Sequence, residues 1–592
     1  MFRLVRRLVV GLFAVIGLVA ALLLVAGGVV AWKLAARSPS VPGAMILTVD
    51  LNGGLIDGPS EDAVSRLLVG SKTTLRDVVE ALEHAATDAR VKGLYVRLGD
   101  DSLGLAKVQQ VRDAVRAFRA NGKFAIAFAE SFGELGPGTR PYYLATAFDE
   151  IWLQPLGDVG LTGLRAEVPF VRGALDRLGV EAKFDHRSEY KSAMNTLTDT
   201  QMTSPQREET EALLDSAERQ IVRGIAEDRK LSPDQVKALI DKGPFLADDA
   251  KAEHLVDRVG YRDEVVTRAH ERAGTASELT SISRYLRGAG RPHTSGATIA
   301  LIYGTGLISR GSSDNSLTGE DQATANKLTR AFRDAARDSA VRAIVLRIDS
   351  PGGSAVASET IWREVLRARE RGKPVIASMG DTAASGGYYI AAPANKIVAE
   401  PATITGSIGV LAGKLVVGGL FRKLGISMDS AERGANAGMY SLTQDFSPEE
   451  WQRLGGFLDE TYRGFKQHVA AGRQLSPDAV EAIAKGRVWS GEDAKEKGLV
   501  DELGGYDAAF RLAKEAAQIP PDAPFKIAVY PQEKDTLDKL ADRLFDRDSE
   551  NNSGASTATE RVLAGLRAIA GEIDAWSGEA VLLRMPPIGE LR

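Results

Sequence analysis

Apolar and polar residues follow two periods along this chain, and the same order of predicted elements occurs twice. In the first half, MILTVDL from Met45 and FAIAFA from Phe124 have the short apolar pattern of strands, while Leu75–Ala89 has helical spacing. In the second half, IALIYG and PVIASM are the strand-like segments and Ala323–Asp338 is helical. Strands that alternate with helices of about ten to fifteen residues predict βαβ units and a mainly parallel sheet.

The two halves are copies of one domain. Asp149–Gly163 aligns without a gap on Asn395–Gly409, at an offset of 246 residues. Upstream, Val91–Lys123 aligns on Val341–Lys373 at an offset of 250 residues. A repeat this long indicates a duplicated domain rather than a short solenoid unit, so the sequence predicts a tandem α/β fold.

The repeat divides the chain into four predicted regions and a linker. These are an N-terminal stub and anchor over 1–37, a first repeat over 44–285, a second repeat over 297–531 and a C-terminal extension over 532–592. The Gly/Pro-rich segment Leu286–Thr298 is the linker between the repeats. In the extension, Arg547–Thr559 is polar and Glu560–Trp576 has the apolar spacing of an amphipathic helix.

A long apolar run near the N-terminus predicts a membrane anchor. Leu8–Ala31 is uncharged, and at about 1.5 Å per residue it can cross a hydrocarbon core of about 30 Å. Arg3, Arg6 and Arg7 precede the run, which favours a cytoplasmic N-terminus and an exported body. The alternative is a cleaved signal peptide, although the run is longer than a usual signal sequence.

Composition narrows the possible chemistry. A net charge of −5 gives no reason to expect nucleic-acid binding, and the absence of cysteine excludes disulfides, thiol nucleophiles and cysteine-based zinc sites. The chain has no P-loop, no dinucleotide fingerprint and no clustered histidines, so no metal, nucleotide or redox cofactor is predicted.

The two copies differ at the positions that carry chemistry. The second copy has GDTAASGGYY around Ser385, and the first copy has no Ser-Gly-Gly there. The first copy has EYKS around Lys191, and the offset of 246 residues puts Ala437 opposite that lysine. One serine and one lysine, each without a counterpart in the other copy, indicate a single active site shared by the two halves.

Glycine pairs near Ser385 predict an oxyanion hole. Ser385 follows an apolar strand and precedes two glycines, whose backbone can approach a substrate closely. A second pair, Gly352-Gly353, follows the strand AIVLRI, whereas the first copy has Asp101–Leu103 where the second has Pro351–Gly353. Both glycine pairs are also compatible with simple turns, but their joint loss from the first copy favours a functional role.

A serine nucleophile requires a base. Among six histidines, only His186, five residues before Lys191, is a serious rival to the lysine. A lysine base must be neutral, which means that its pKa of about 10.4 has to fall by about three units, and burial can achieve this. The hydroxyls of Tyr190 and Ser192, the neighbours of Lys191, are candidates for orienting the amine.

Four segments together resemble one protein family. GDTAASGGYY, RIDSPGGS and TGSIGV in the second half, with EYKS in the first, are similar to the long, two-repeat form of bacterial signal peptide peptidase A. The resemblance extends from the predicted anchor to about residue 530. It implies a Clp-protease/crotonase-type fold and a membrane-anchored serine peptidase with a serine–lysine dyad.

The resemblance also implies roles for particular residues. It implies Ser385 as the nucleophile, Lys191 as the general base, and Gly353 and Gly386 as oxyanion donors. Ser407, in TGSIG, is a candidate hydroxyl near the lysine or, alternatively, an ordinary turn residue.

The same family suggests biological expectations. Its members are dome-like homotetramers in the bacterial inner membrane, with the catalytic body on the extracytoplasmic side, and they degrade remnant signal peptides. Two alternatives stay open at this point: a crotonase-like acyl-CoA enzyme, which explains the glycines but not the lysine, and a non-catalytic membrane scaffold.

Overall fold

The computed structural model describes residues 41–58, 73–311, 322–532, 582–584 and 590–591. The predicted anchor Leu8–Ala31, the polar segment Arg547–Thr559 and the amphipathic helix Glu560–Trp576 lie outside these residues. Within the ranges just given, no helix is both long enough and apolar enough to cross a membrane.

The first repeat alternates strands and helices, as its sequence pattern predicts. Its strands are β1 Met45–Asp50, β2 Val91–Arg97, β3 Phe124–Ala129, β4 Glu150–Leu153, β5 Asp158–Val159, β6 Ala166–Glu167, β7 Glu181–His186, β8 Phe245–Leu246, β9 Arg258–Val259 and β10 Glu278–Ser281. Its helices are α1 Leu75–Thr87, α2 Leu105–Ala120, α3 Thr139–Ala145, α4 Arg172–Leu178, α5 Asn195–Thr198, α6 Ser204–Arg229, α7 Pro233–Lys242, α8 Ala247–Ala252, α9 Arg262–Ala273 and α10 Ile282–Ala289. One sheet has the strand order β10-β1-β2-β3-β4-β9, and every neighbouring pair in it is parallel.

The second repeat has the same arrangement. Its strands are β11 Ala297–Thr305, β12 Ile308–Ser309, β13 Ala323–Thr324, β14 Val341–Ser350, β15 Gly352–Ser354, β16 Val375–Ala384, β17 Lys396–Ala399, β18 Ile404–Gly406, β19 Leu411–Val416, β20 Val488–Ser490, β21 Glu502–Leu503 and β22 Phe525–Tyr530. Its helices are α11 Ala325–Arg337, α12 Ala355–Glu370, α13 Gly386–Ala391, α14 Gly418–Lys423, α15 Pro448–Arg473, α16 Pro477–Ile483, α17 Gly491–Glu496 and α18 Tyr506–Ala516. The main sheet has the order β20-β18-β16-β14-β11-β22, and β17 pairs with β16 and β21; only the β18–β20 pair is antiparallel. The predicted tandem α/β architecture with mainly parallel sheets is confirmed.

Some predicted boundaries differ from the observed ones. The helix expected over Leu75–Ala89 ends two residues earlier, at Thr87. The linker expected over Leu286–Thr298 is shorter, since α10 continues to Ala289 and β11 begins at Ala297.

A third sheet connects the two repeats. Its order is β13-β12-β15-β23-β19-β7, where β23 is Leu582–Arg584 near the C-terminus. Strand β7 of the first repeat pairs antiparallel with β19 of the second, from His186 opposite Leu411 to Glu181 opposite Val416. This pairing carries the chain that follows β7, including Lys191, into the second repeat.

The apolar core also crosses the boundary between the repeats. One buried cluster contains Leu47 and Leu94 of the first sheet together with Leu301 and Val345 of the second. Burial of apolar surface on this scale fixes how the two repeats dock, and therefore how a lysine from one meets a serine from the other.

Candidate active site

Ser385 lies at the tight turn between β16 and α13. Its backbone has φ 54° and ψ −113°, a conformation that costs a residue with a side chain about 1–3 kcal/mol. Two hydrogen bonds hold the turn: the Ser385 N–H donates to the Gly406 carbonyl and the Tyr389 N–H donates to the Ser385 carbonyl, each at 2.8 Å. Since Ser385 is fully buried, the turn fixes its hydroxyl in the interior at the junction of the repeats.

Lys191 enters the site on the segment that follows β7. The Tyr190 N–H donates to the carbonyl of Lys485 in the second repeat at 3.1 Å, which fixes the backbone next to the lysine. Gly486 packs against this backbone, and a Cβ placed on it would lie 2.6 Å from the Lys191 nitrogen. The lysine stem also touches Gly409, where an added Cβ would lie 3.1 Å from Lys191 Cδ. Close packing by glycines thus leaves one path for the lysine side chain.

The amine of Lys191 meets the hydroxyl of Ser385. Lys191 Nζ lies 2.8 Å from Ser385 Oγ, 3.0 Å from Ser407 Oγ and 3.1 Å from the Ser407 carbonyl oxygen. Only 1% of Lys191 is exposed, and Ser385 and Ser407 are completely buried. Three residues that the sequence singled out therefore lie together, in a pocket to which both repeats contribute.

Burial controls the charge of this lysine. Removal from water disfavours the ammonium form and lowers the pKa of Lys191 well below its usual value. The carboxylate of Glu209, on α6, opposes this shift, but burial also raises the pKa of Glu209 to about 8. Glu209 is therefore mostly uncharged at neutral pH, and the lowered pKa of Lys191 favours the neutral amine, which can accept a proton.

Backbone N–H groups of two glycines flank the serine. Gly353 lies in β15 at φ 152°, and a Cβ there would lie 2.1 Å from the Ile308 carbonyl oxygen. Gly386 is the first residue of α13, and a Cβ on it would lie 3.2 Å from the Gly353 nitrogen. The two backbones are thus close enough for their N–H groups to serve one oxyanion, and neither has room for a side chain.

A charge cluster ties the first repeat to the two strands of the second repeat that precede these groups. Lys107 Nζ of α2 contacts carboxylate oxygens of Asp57 at 3.0 Å, Asp349 at 2.8 Å and Asp381 at 3.0 Å. Asp349 also accepts a hydrogen bond from the Thr382 N–H at 3.0 Å. Burial and the charge of Asp57 raise the pKa of Asp349 above its ordinary value.

The cluster links the strand before the Gly352-Gly353 pair to the strand before Ser385. Its cation is the lysine ammonium, and no group of three or more metal-ligating side chains is found among the described residues.

Three other residues considered from the sequence lie elsewhere. The His186 ring is exposed and contacts the Ser188 carbonyl at 2.9 Å. The Tyr190 hydroxyl donates to Glu208 at 2.8 Å and the Ser192 hydroxyl donates to Glu209 at 3.0 Å. The expectation that these two hydroxyls orient the lysine amine was wrong, because both are engaged by acidic residues of α6.

Two contributors were missed by sequence reasoning. Glu209 belongs to the polar run Arg207–Glu211, whose sequence is typical of a solvent-exposed helix face. In the structure Glu209 is buried, and its carboxylate accepts a hydrogen bond from the Val488 N–H at 3.3 Å. Lys107 had no motif around it. Asp381 was visible within GDTAASGG, and an aspartate so close in sequence to a candidate nucleophile was the one available signal.

The chain matches the model of one protein family twice. Peptidase family S49 matches residues 119–276 and 367–520, one segment in each repeat.

Several curated proteins similar to this chain are named as proteases. The chloroplastic serine protease SPPA of Arabidopsis thaliana is 32% identical over 483 residues, covering 80% of this chain and 69% of that protein. Protease 4 of Salmonella typhi is 33% identical over 524 residues, which cover 85% of this chain and 82% of that protein. A protein of Enterococcus faecium provisionally named signal peptide peptidase SppA is 36% identical over 218 residues, which cover 37% of this chain and 63% of that protein.

Proposed function

Because this chain belongs to peptidase family S49 and is a serine protease, we propose that Ser385 is its nucleophile and Lys191 its general base. The observation that carries this proposal is the 2.8 Å separation of Lys191 Nζ and Ser385 Oγ, which come from different repeats. Membership of a peptidase family also disfavours the alternatives of an acyl-CoA enzyme and of a scaffold.

The contacts of the amine match a neutral lysine. A neutral amine has two N–H donors and one lone pair, and Nζ has three neighbours. The Ser407 carbonyl can only accept, and the Ser407 hydroxyl can accept the second N–H. The lone pair is then left for the hydroxyl proton of Ser385, which is the geometry that a general base requires.

The reaction follows from this arrangement. Ser385 Oγ attacks the peptide carbonyl carbon as its proton passes to Lys191, and the N–H groups of Gly353 and Gly386 stabilise the negative oxygen. The lysine then protonates the leaving amine as the C–N bond breaks. Water releases the acyl group by the same steps in reverse order, with Lys191 again accepting the proton. Substrate binding excludes water and keeps the lysine uncharged.

For the substrate, we propose apolar peptides left in a membrane, such as the remnants of cleaved signal peptides. This part rests on the resemblance of the motifs to signal peptide peptidase A and on the name of the Enterococcus faecium relative. It also rests on the apolar run Leu8–Ala31, which as an anchor would hold the protease beside such substrates.

The proposal extends to location and assembly. A single N-terminal span with a cytoplasmic N-terminus would place both repeats on the extracytoplasmic side of a bacterial inner membrane. A homotetramer with enclosed active sites follows from the family resemblance alone. Neither cofactor nor nucleic acid has a part in the proposed reaction.

Hydrolysis of an apolar, signal-peptide-like fluorogenic substrate tests the proposal. The full-length protein is compared with Ser385→Ala, Lys191→Ala and His186→Ala, and circular dichroism checks that each variant is folded. We expect loss of hydrolysis in the first two variants and wild-type rates in the third.

Two results would contradict the assignment. Activity that survives Lys191→Ala but is lost in His186→Ala would make the histidine the base. Equal activity in all four proteins would trace the hydrolysis to a contaminating protease.

A further inference from the structure

The main sheet of the second repeat is interrupted just before the proposed catalytic groups. Strands β14 and β16 pair in parallel as far as Ile348 opposite Met379, and the register shifts before Ser350 opposite Ala383. The equivalent strands of the first repeat, β2 and β3, keep one register throughout their pairing. An interruption of this kind removes ladder hydrogen bonds, so other contacts have to fix where the two strand ends lie.

A side chain bridges the interruption. The Asp349 carboxylate accepts a hydrogen bond from the Thr382 N–H at 3.0 Å. Gly380 leaves room for this contact, since an added Cβ would lie 2.9 Å from the Asp349 Cβ. Asp349 precedes Gly353 by four residues, and Thr382 precedes Ser385 by three. One carboxylate therefore joins the strand that leads to the proposed oxyanion donor to the strand that leads to the proposed nucleophile.

The first repeat holds this carboxylate from the other side. Lys107 Nζ, in the first turn of α2, lies 2.8 Å from the second oxygen of Asp349 and 3.0 Å from Asp381 of β16. The same amine lies 3.0 Å from Asp57, which also accepts from Arg347 Nε of β14 at 2.8 Å. Only 13% of the Lys107 side chain is exposed, so solvent screens these ion pairs weakly.

Helix α2 also takes its N-terminal cap from the second repeat. Gly104 occupies the N-cap position, whereas Ser354, at the matching position 250 residues later, caps α12 with its own hydroxyl. Asp381 replaces that hydroxyl, because it accepts a hydrogen bond from the Lys107 N–H at 3.0 Å. Lys107 has no charged counterpart either, since Ala357 stands at its matching position. The first copy thus has a glycine and a lysine where contact with β16 requires them.

We propose that Lys107 is a positioning residue for the peptidase reaction. It holds the ends of β14 and β16 at a fixed separation, and this separation sets how the Ser385 hydroxyl faces the N–H of Gly353. The inference rests on the proposed function of Ser385 and Lys191. Lys107 acts through the two strands and takes no part in proton transfer, because carboxylates surround its ammonium.

Loss of the ammonium should move the strand ends apart. Without it, the carboxylates of Asp57, Asp349 and Asp381 lie close together and repel one another. A displacement of about 1 Å between reacting groups can lower a rate by about 10²-fold. Peptide binding depends on contacts along the whole substrate, whereas attack depends on the serine and the oxyanion donors. The loss is therefore expected in kcat, with KM unchanged.

Steady-state hydrolysis of an apolar fluorogenic peptide by the full-length protein tests the inference. Wild type is compared with Lys107→Met, which keeps the unbranched stem without the charge, and with Lys107→Arg, which keeps the charge. Arg119→Met is the matched control, because Arg119 lies at the other end of α2 and pairs with Asp149 inside the first repeat at 2.7 Å. Denaturant unfolding measures stability, and titration of Ser385 with a fluorophosphonate gives the concentration of active sites.

We expect kcat per active site to fall by about 10²-fold in Lys107→Met, with KM unchanged. Lys107→Arg should recover part of this loss, and Arg119→Met should lower the free energy of unfolding but keep the wild-type kcat. Asp381→Ala serves as a second variant in case Lys107→Met does not fold. It removes the contact to β16 and leaves Lys107 paired with Asp349, so kcat should fall by a smaller factor.

The outcomes separate this inference from the proposed function. An unchanged kcat in folded Lys107→Met, or in Asp381→Ala if Lys107→Met does not fold, would overturn the inference and leave the proposed function standing. A higher KM at unchanged kcat, an equal loss of kcat in Arg119→Met, or equal losses in Lys107→Met and Lys107→Arg would also overturn it. Ser385→Ala is assayed in parallel, and wild-type activity in that variant would overturn the proposed function and this inference together.

Discussion

The strand-to-helix turn that carries Ser385 has a counterpart in the first repeat, and the two have diverged in a specific way. At the repeat offset of 246 residues, Thr139 occupies the position of Ser385. It begins α3, but its hydroxyl donates to the Gly163 carbonyl at 2.9 Å instead of meeting a lysine. The side chain in the first copy is thus used to hold a loop.

The oxyanion elements differ in the same way. Arg140 stands in place of Gly386, and Asp101 stands in place of Pro351, just before the Gly352-Gly353 pair. In the first repeat these two residues form a bidentate ion pair, with distances of 2.6 and 2.7 Å. A charged pair therefore stands in the first repeat where the second repeat has the glycine backbone of the proposed oxyanion hole.

Contacts that only support the fold are retained in both copies. The Tyr142 hydroxyl donates to the Leu255 carbonyl at 2.9 Å, and the corresponding Tyr388 hydroxyl donates to the Leu499 carbonyl at 3.0 Å. The two copies therefore share the contacts that stabilise the fold. The reactive groups differ, because the serine lies in one copy and the lysine in the other. This contrast predicts which substitutions affect activity and which affect only stability.

The largest effect is expected at the paired positions Ser385 and Thr139. Ser385→Ala should lower kcat/KM by about 10⁴-fold or more, because the nucleophile is lost. Thr139→Ala should leave kcat/KM unchanged and lower the free energy of unfolding by about 1 kcal/mol, since one buried hydrogen bond is removed. Peptide hydrolysis measures kcat/KM, and denaturant unfolding measures the free energy of unfolding. Comparable losses of activity in both variants would contradict the division of roles.

The next effect concerns the base. Lys191→Met keeps an unbranched side chain in the pocket but cannot accept a proton, so kcat should fall by about 10²–10⁴-fold. Lys237, an exposed lysine on α7, provides the matched control, and Lys237→Met should have no effect on kcat. Retention of activity in Lys191→Met would exclude this lysine as the base.

A third effect tests the oxyanion element that the first copy has lost. Gly353→Ala places a Cβ against the Ile308 carbonyl and displaces the donor N–H, so kcat should fall by about 10²–10³-fold. Gly456→Ala, on the exposed face of α15 with no atom within 4 Å of the added Cβ, is the control and should not lower kcat. An unchanged kcat in the folded Gly353→Ala variant would place the oxyanion elsewhere.

The smallest effect concerns pH. Burial raises the pKa of Glu209 to about 8, so its carboxyl is already uncharged on the acidic limb of the kcat/KM profile, and Glu209→Gln should leave that limb in place. The pKa of Glu209 is about 8 in the folded protein, against an ordinary value of 4.5. The protonated carboxyl therefore contributes fully to the free energy of unfolding below pH 4.5, and this contribution is lost as the pH rises through 8. Glu209→Gln should remove this slope from the free energy of unfolding. An acidic limb that moves to lower pH in Glu209→Gln would contradict this, because it would mean that Glu209 is ionised there and raises the pKa of Lys191.

Sequence periodicity predicted the strands and helices of both repeats, because each buried strand is a short apolar run between turn residues. The asymmetry between the copies singled out Ser385 and Lys191. What could not be predicted depends on contacts between residues far apart in the chain. The pairing of β7 with β19 has no local pattern, and the ion pair of Arg140 with Asp101 joins two segments that each read as ordinary loops.

The contact between Ser385 and Lys191 is the centre of this account, and labelling by a fluorophosphonate tests it most directly. The full-length protein and Lys191→Met are treated with the reagent, and the modified residue is identified by peptide mass spectrometry. We expect Ser385 alone to be modified in wild type, and we expect Lys191→Met, although folded, not to be labelled. Equal labelling of both proteins, or modification of a different serine, would contradict it.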